Sequence, residues 1–327
     1  MREISYSDAL REALQEEMSR DSEVLLIGED IGTYGGAFGV TRGLLDRFGP
    51  DRVVETPISE GGFVGMAVGA SLLGARPVVE IMFMDFMTLV VDPLVNQAAK
   101  LHYVYGEQAA CPLVVRTPSG GGRSYGPTHS QVFEAWFAHT PGLKVVAPST
   151  PADAKGLMKA AIRDNNPVLF VEHKMLYPTR GPVPGRGSRP IPIGKARIAR
   201  RGTDVTIIAW SWLALEAEAA ADALAVDGID AEVIDMRTLS PLDMETVIES
   251  VQRTGRLVIA DEAPRSGGVS ADIGVRVFEQ VFDYLDGPIR RVTTPDVPVP
   301  ASPVLEQAAL PNRERIAAAA AELCGAY

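Results

Sequence analysis

Three short stretches carry side chains able to exchange protons or hold a planar ring. The first, "TPISEGGFVGMAVGASLLGARPVVEI" from Thr56 to Ile81, sets one carboxylate, Glu60, ahead of a run of glycine, alanine and aliphatic residues. Gly61, Gly65 and Gly69 recur every fourth residue, so a helix here has one face without side chains that another backbone can approach, which predicts a central helix. Two roles for Glu60 are open. Either Ser59 caps the helix and Glu60 complements its dipole, or a carboxylate with restricted water shares a proton with a bound heterocycle. The second stretch, "TPSGGGRSYGPTHSQ", predicts a flexible loop built on Gly120, Gly121, Gly122 and Gly126 that delivers His129. A histidine so placed can act as acid, base or anion donor, or can simply pack. The third, "MFMDF", puts Phe83 and Phe86 beside a strand end, where an aromatic can stack a ring or merely fill the core. His102, His139 and His173 read as packed or solvated structural histidines.

These stretches need a scaffold, and the intervening sequence supplies one. Residues 23–29, 51–56, 76–83, 111–117, 143–149 and 166–174 are short apolar runs of the kind that form buried parallel strands. Helical patterns over 5–18, 61–73, 92–105 and 152–163 alternate with them, which predicts a doubly wound α/β domain spanning residues 1–182. The segment from Tyr177 is dense in Pro, Gly and Arg, so residues 183–198 read as a linker. From residue 199 to 327 the strand–helix alternation resumes in a second, smaller α/β domain. The glycines of "LLIGEDIGTYGGAFGV" do not have dinucleotide-binding spacing, and Glu29 and Asp30 would oppose a pyrophosphate there.

Composition narrows the function classes further. With 46% hydrophobic and 22% charged residues over 327 positions, the chain is a packed globular protein. A net charge of −11 opposes nucleic acid and anionic membrane surfaces as partners. Two cysteines without a disulfide or zinc pattern, and a charged amphipathic N-terminus, favour a cytoplasmic setting. The longest apolar run falls short of the ~20 residues of a membrane-spanning helix.

Together, "TPISEGG", "MFMDF", "GPTHSQ", "AWFAHTPGLKVVAPSTPADAKGLMKAAIRDNNPV" and "VIDMRTLSPLD" resemble the beta subunit of the thiamine-diphosphate-dependent decarboxylating component of 2-oxo acid dehydrogenase complexes. The resemblance spans nearly the whole chain. It implies a pyrimidine-binding N-terminal domain and a transketolase-like C-terminal domain. By the same resemblance Glu60 exchanges a proton with a ring nitrogen of the cofactor's aminopyrimidine, Phe86 packs against that ring, and Ile58 and Met82 are its neighbours. Glu29 would lie near the cofactor and the channel between paired sites, and His129 near the substrate and the incoming lipoyl group. A structural monovalent cation, such as K+, is implied at Leu113, Ala161, Asp164 and Asn166, mainly through carbonyls; Asp164 and Asn166 also read as turn residues of "RDNNP".

One absence completes the expectation. The chain has no Gly-Asp-Gly followed by the asparagine with which thiamine enzymes hold Mg2+ and the diphosphate. An alpha subunit is therefore expected to supply them in an α2β2 heterotetramer. The second domain would form the contact to a second beta chain and dock the dihydrolipoamide acyltransferase core. It departs from the commoner family pattern at "IADEAP", where many members carry a histidine before the glutamate. The expected activity is decarboxylation of a 2-oxo acid, pyruvate first, with acyl transfer to lipoamide. Acetoin and branched-chain substrates are the alternatives, and a non-catalytic assembly subunit is the reading from another class.

Overall fold

The apolar runs of the first half form a seven-stranded sheet in the computed structural model, which describes residues 2–325. Its order is Thr238–Ser240, Lys144–Val146, Val168–His173, Val114–Ser119, Arg76–Glu80, Val24–Gly28 and Val53–Glu55. Six strands run parallel. The seventh, Thr238–Ser240, comes from far along the chain and pairs antiparallel with Lys144–Val146. A five-stranded sheet follows, ordered Arg290–Thr294, Leu257–Pro264, Val205–Ala209, Ala231–Asp235 and Arg197–Arg200, with only the last strand antiparallel.

Helices cover both faces of the first sheet because each strand is apolar on both sides. Helix Tyr6–Arg20, capped by Ser5, whose hydroxyl accepts the Asp8 N–H, packs with Pro151–Arg163 on one face through Leu10, Leu14, Leu157 and Met158. On the other face, Phe63, Val64, Met84 and Leu94 form a core that continues into Ile208 and Ile259 of the second sheet and Ile273 of helix Val269–Val281. The two sheets therefore share one apolar layer. The predicted helix over 92–105 is instead a wider π-type turn, Asp92–Ala98, running into a short α-helix, Ala99–Val104.

The Pro/Gly-rich segment is strapped to the first sheet's helices. Arg180–Val183 pairs with Arg2–Ser5, and the Ile191 N–H donates to the Gly156 carbonyl at 3.1 Å. A side chain at Gly156 would collide with Ile191, 2.5 Å from its Cγ1. Among the described residues no helix is long and apolar enough to cross a membrane.

Candidate active site

Parallel strands deliver their following loops to one edge of a sheet, and the candidate residues sort by that rule. Glu29 follows Val24–Gly28, Glu60 follows Val53–Glu55, Met82 and Phe86 follow Arg76–Glu80, and the glycine loop with His129 follows Val114–Ser119. All lie at the carboxyl edge. Leu113 precedes its strand, while Ala161, Asp164 and Asn166 surround the end of helix Pro151–Arg163 and the start of Val168–His173, so this group lies at the opposite edge. There the Asp164 carboxylate pairs with Lys144 and accepts the Asn166 N–H at 2.9 Å, and the Asp164 carbonyl accepts from Arg76 at 3.2 Å.

Glu60 is the first residue of helix Glu60–Leu72 and is 8% exposed. The expected Ser59 cap does not form: Ser59 has φ −168 and ψ 61, and its side chain makes no capping hydrogen bond. Nor is the helix central. A Cβ at Gly65 or Gly69 would meet nothing within 4 Å, and Ile58 is 83% exposed, so this glycine face looks out of the chain. Gly61 is the exception, where a Cβ would lie 3.1 Å from the Leu89 carbonyl of the turn Met84–Val90 that carries Phe86.

Glu29 is buried beside Glu60. Burial raises its pKa, the negative charge of Glu60 raises it further, and the Ser59 N–H offsets part of this. Its Oε1 has no partner, and neither has the buried Thr56 Oγ1. The loop after Glu29 is fixed by its surroundings. The Gly32 N–H donates to Glu55 Oε2 at 2.8 Å, and Thr41 Oγ1 donates to the Ile31 carbonyl at 2.8 Å. Below it, buried Arg116 pairs with Glu80 and forks onto Glu172 at 2.7 and 2.6 Å, while the Tyr177 hydroxyl donates to Glu172 at 2.6 Å.

The donor set at this edge fits a neutral nitrogen heterocycle: an acid at a helix start, a second acid with an unpartnered oxygen, and half-buried Met82 and Phe86 beside them. It does not fit a diphosphate, because Glu29, Asp30 and Glu60 place like charge there.

His129 belongs to an aromatic cluster. Its ring meets Phe83 edge-on at 4.9 Å and Phe86 at 5.5 Å, and its Nδ1 lies 3.1 Å from Thr128 Oγ1. Lys174, fully buried, donates to the His129 carbonyl at 2.6 Å. Burial brings the Lys174 pKa down to about 8, against the pull of Asp85, Glu262 and Glu306. The glycine loop is not the free hinge that its composition suggests. Gly120 has φ +81, and a Cβ there would fall 1.9 Å from His173 Nε2. His173 is buried as expected, but it also pairs with Glu262 at 2.9 Å. Under the loop, Glu134 accepts the Ser119 hydroxyl at 2.9 Å and leaves Oε2 unpartnered. Burial, with Asp261 and Glu262 nearby, pushes its pKa up to about 8.

Sequence reasoning missed the groups that come from afar, Lys174, Glu262 and Glu306. The one signal was the "IADEAP" motif, which contains Glu262. A cavity of about 930 Å³ beside Trp136, Pro241 and Arg276 lies away from these residues.

Comparison with known proteins agrees with this architecture. The family described as transketolase, pyrimidine binding domain matches residues 2–180, and transketolase, C-terminal domain matches residues 194–316. The chain is 48% identical to the pyruvate dehydrogenase E1 component subunit beta of Rickettsia felis, over 98% of each protein. It is 47% identical to the acetoin:2,6-dichlorophenolindophenol oxidoreductase subunit beta of Cupriavidus necator, over 98% of this chain and 97% of that one. A solved structure described as a split gene transketolase, inactive beta4 tetramer, is similar in fold, with a TM-score of 0.80 over 98% of both chains at 22% identity. By these matches along nearly its full length, the chain belongs to the transketolase-like family of pyruvate dehydrogenase E1 beta subunits and their acetoin-oxidising relatives.

Proposed function

We propose that the chain is the beta subunit of a pyruvate dehydrogenase E1 component, converting pyruvate and lipoamide to carbon dioxide and S-acetyldihydrolipoamide together with an alpha subunit. The observation that carries the site assignment is the pair Glu29 and Glu60, two buried acids at the carboxyl edge of the first sheet, one with an unpartnered oxygen. Thiamine diphosphate, when bound, supplies the electron sink for decarboxylation. Glu60 would hold a proton at its carboxyl oxygen toward the ring nitrogen of that cofactor. Phe86 and Met82 would flank the ring, with Ile58 closing over it from the exposed side. His129, held against Phe83 and Phe86, would face the substrate and the lipoyl arm.

The acidic character of this edge favours an alpha chain as the source of Mg2+ and of the groups that hold the diphosphate. The outward glycine face of helix Glu60–Leu72 favours a close backbone partner in an α2β2 assembly. A K+ ion at Leu113, Ala161, Asp164 and Asn166 would rest on main-chain carbonyls, since the Asp164 carboxylate is engaged with Lys144. The free thiols of Cys111 and Cys324 suit a cytoplasmic complex.

The test is co-production with the alpha subunit and measurement of carbon dioxide release from pyruvate and 3-methyl-2-oxobutanoate, and of acetaldehyde from acetoin. Activity confined to the two-chain assembly, with pyruvate preferred, supports the reading. Turnover by this chain alone with cofactor and Mg2+ defeats the shared site, and preference for acetoin moves the chain to its other relatives.

A further inference from the structure

The loop that carries His129 is gripped by carboxylates of the second sheet's unit. The Gly121 N–H donates to Glu262 Oε1 at 2.6 Å. The Gly122 N–H donates to Glu306 Oε1 at 2.9 Å, and the Ser124 N–H donates to Glu306 Oε2 at 2.9 Å, with the Ser124 hydroxyl 3.3 Å from the same oxygen. Glu262 lies in strand Leu257–Pro264 and Glu306 in helix Pro303–Ala309, far from the loop in sequence. Glu306 is 4% exposed. The second oxygen of Glu262 is taken by His173. Lys174 holds the far end of the loop through the His129 carbonyl.

A buried carboxylate is costly unless its oxygens are satisfied, and Glu306 is met by two backbone N–H groups and one hydroxyl of the loop. Apolar packing could have joined the two units without such a group. What two carboxylates add is direction, since each N–H bond fixes the orientation of one peptide plane.

We infer that Glu306 and Glu262 are positioning residues for His129, fixing the main chain of Gly121, Gly122 and Ser124 so that the imidazole stays against Phe83 and Phe86. The second unit thus completes the catalytic loop in addition to any assembly role. This rests on the reading of His129 as the group that faces the lipoyl arm. An isosteric amide is a poor substitute. It offers one acceptor oxygen and turns an NH2 toward a backbone N–H, so at least one of the bonds is lost.

The test uses the reconstituted α/β complex carrying Glu306→Gln, Glu262→Gln or His129→Ala, with two readouts. Hydrogen–deuterium exchange over residues 120–129 should be about tenfold faster or more in Glu306→Gln, as expected for the loss of a charge-assisted bond. Acyl transfer to a free lipoyl domain should fall at least about tenfold further than decarboxylation followed with 2,6-dichlorophenolindophenol. Glu262→Gln should shift both readouts in the same direction by less. Glu306→Asp keeps the charge and should recover part of both, and it serves in place of Glu306→Gln if that variant does not fold. Unchanged loop exchange overturns the inference, as does a parallel fall of both partial reactions, which marks a purely structural contact. If His129→Ala leaves the ratio of the two reactions unchanged while Glu306→Gln loosens the loop, the role read for His129 fails and the clamp itself stands.

Discussion

The Glu60 edge and the His129 loop meet on one side of the sheet but are finished to different degrees. Around Glu60 the helix turns bare glycines outward, Ile58 is exposed, and Glu29 keeps an oxygen without a partner. Around His129 the loop donors are taken up by Glu262 and Glu306, and Lys174 holds the carbonyl. The first region is shaped for something outside the chain. The second is completed within it. The proposed proton transfer at Glu60 and the positioning of the His129 loop thereby fall in separate regions, so each can be perturbed alone.

The largest effect should come from Glu60→Gln, which removes the exchangeable proton and keeps the shape. Activity of the α/β complex should fall by about 10²–10⁴, the usual worth of an acid–base group, with an unchanged unfolding midpoint. A variant within about threefold of the parent would break the assignment of Glu60.

The two regions should also respond in opposite ways to the same small substitution. Gly120→Ala forces a side chain into positive φ and onto His173, and should cost about 2–4 kcal/mol in urea unfolding of the isolated chain. Gly65→Ala meets open space, and helix propensity alone should stabilise the isolated chain by up to ~1 kcal/mol while weakening association with its partners. Between these in size lies Glu134→Gln. The folded pKa of Glu134, pushed up to about 8, exceeds its unfolded value, so its contribution is fully present below the unfolded pKa and is lost as pH rises through about 8. Removing that titration should make the variant more stable than the parent at pH 8 relative to pH 5, by on the order of 2 kcal/mol. Parallel pH profiles for the two proteins would show that Glu134 is not a buried neutral acid.

Much of the scaffold was legible because parallel strands buried on both faces write continuous apolar runs. Glu60 and His129 were legible as types at strand ends. The position of helix Glu60–Leu72 was misread because a glycine at every fourth residue writes the same pattern whether that face is packed within the chain or, as here, turned outward. Glu262 surfaced only within "IADEAP", with no role attached, and Glu306 not at all, for another reason. Each acts across a long sequence separation on backbone donors, which carry no residue identity. The short strand Thr238–Ser240 escaped because three residues hold no periodicity.

That short strand has a consequence for how the protein is made. Lys144–Val146 is capped on its outer side only by residues that leave the ribosome much later. At about 5–20 residues per second, the interval between Val146 and Thr238 amounts to roughly 5–20 s of synthesis. Through that time the nascent sheet presents an open edge of unpaired backbone, the kind of surface that chaperones shield and neighbouring nascent chains can pair with.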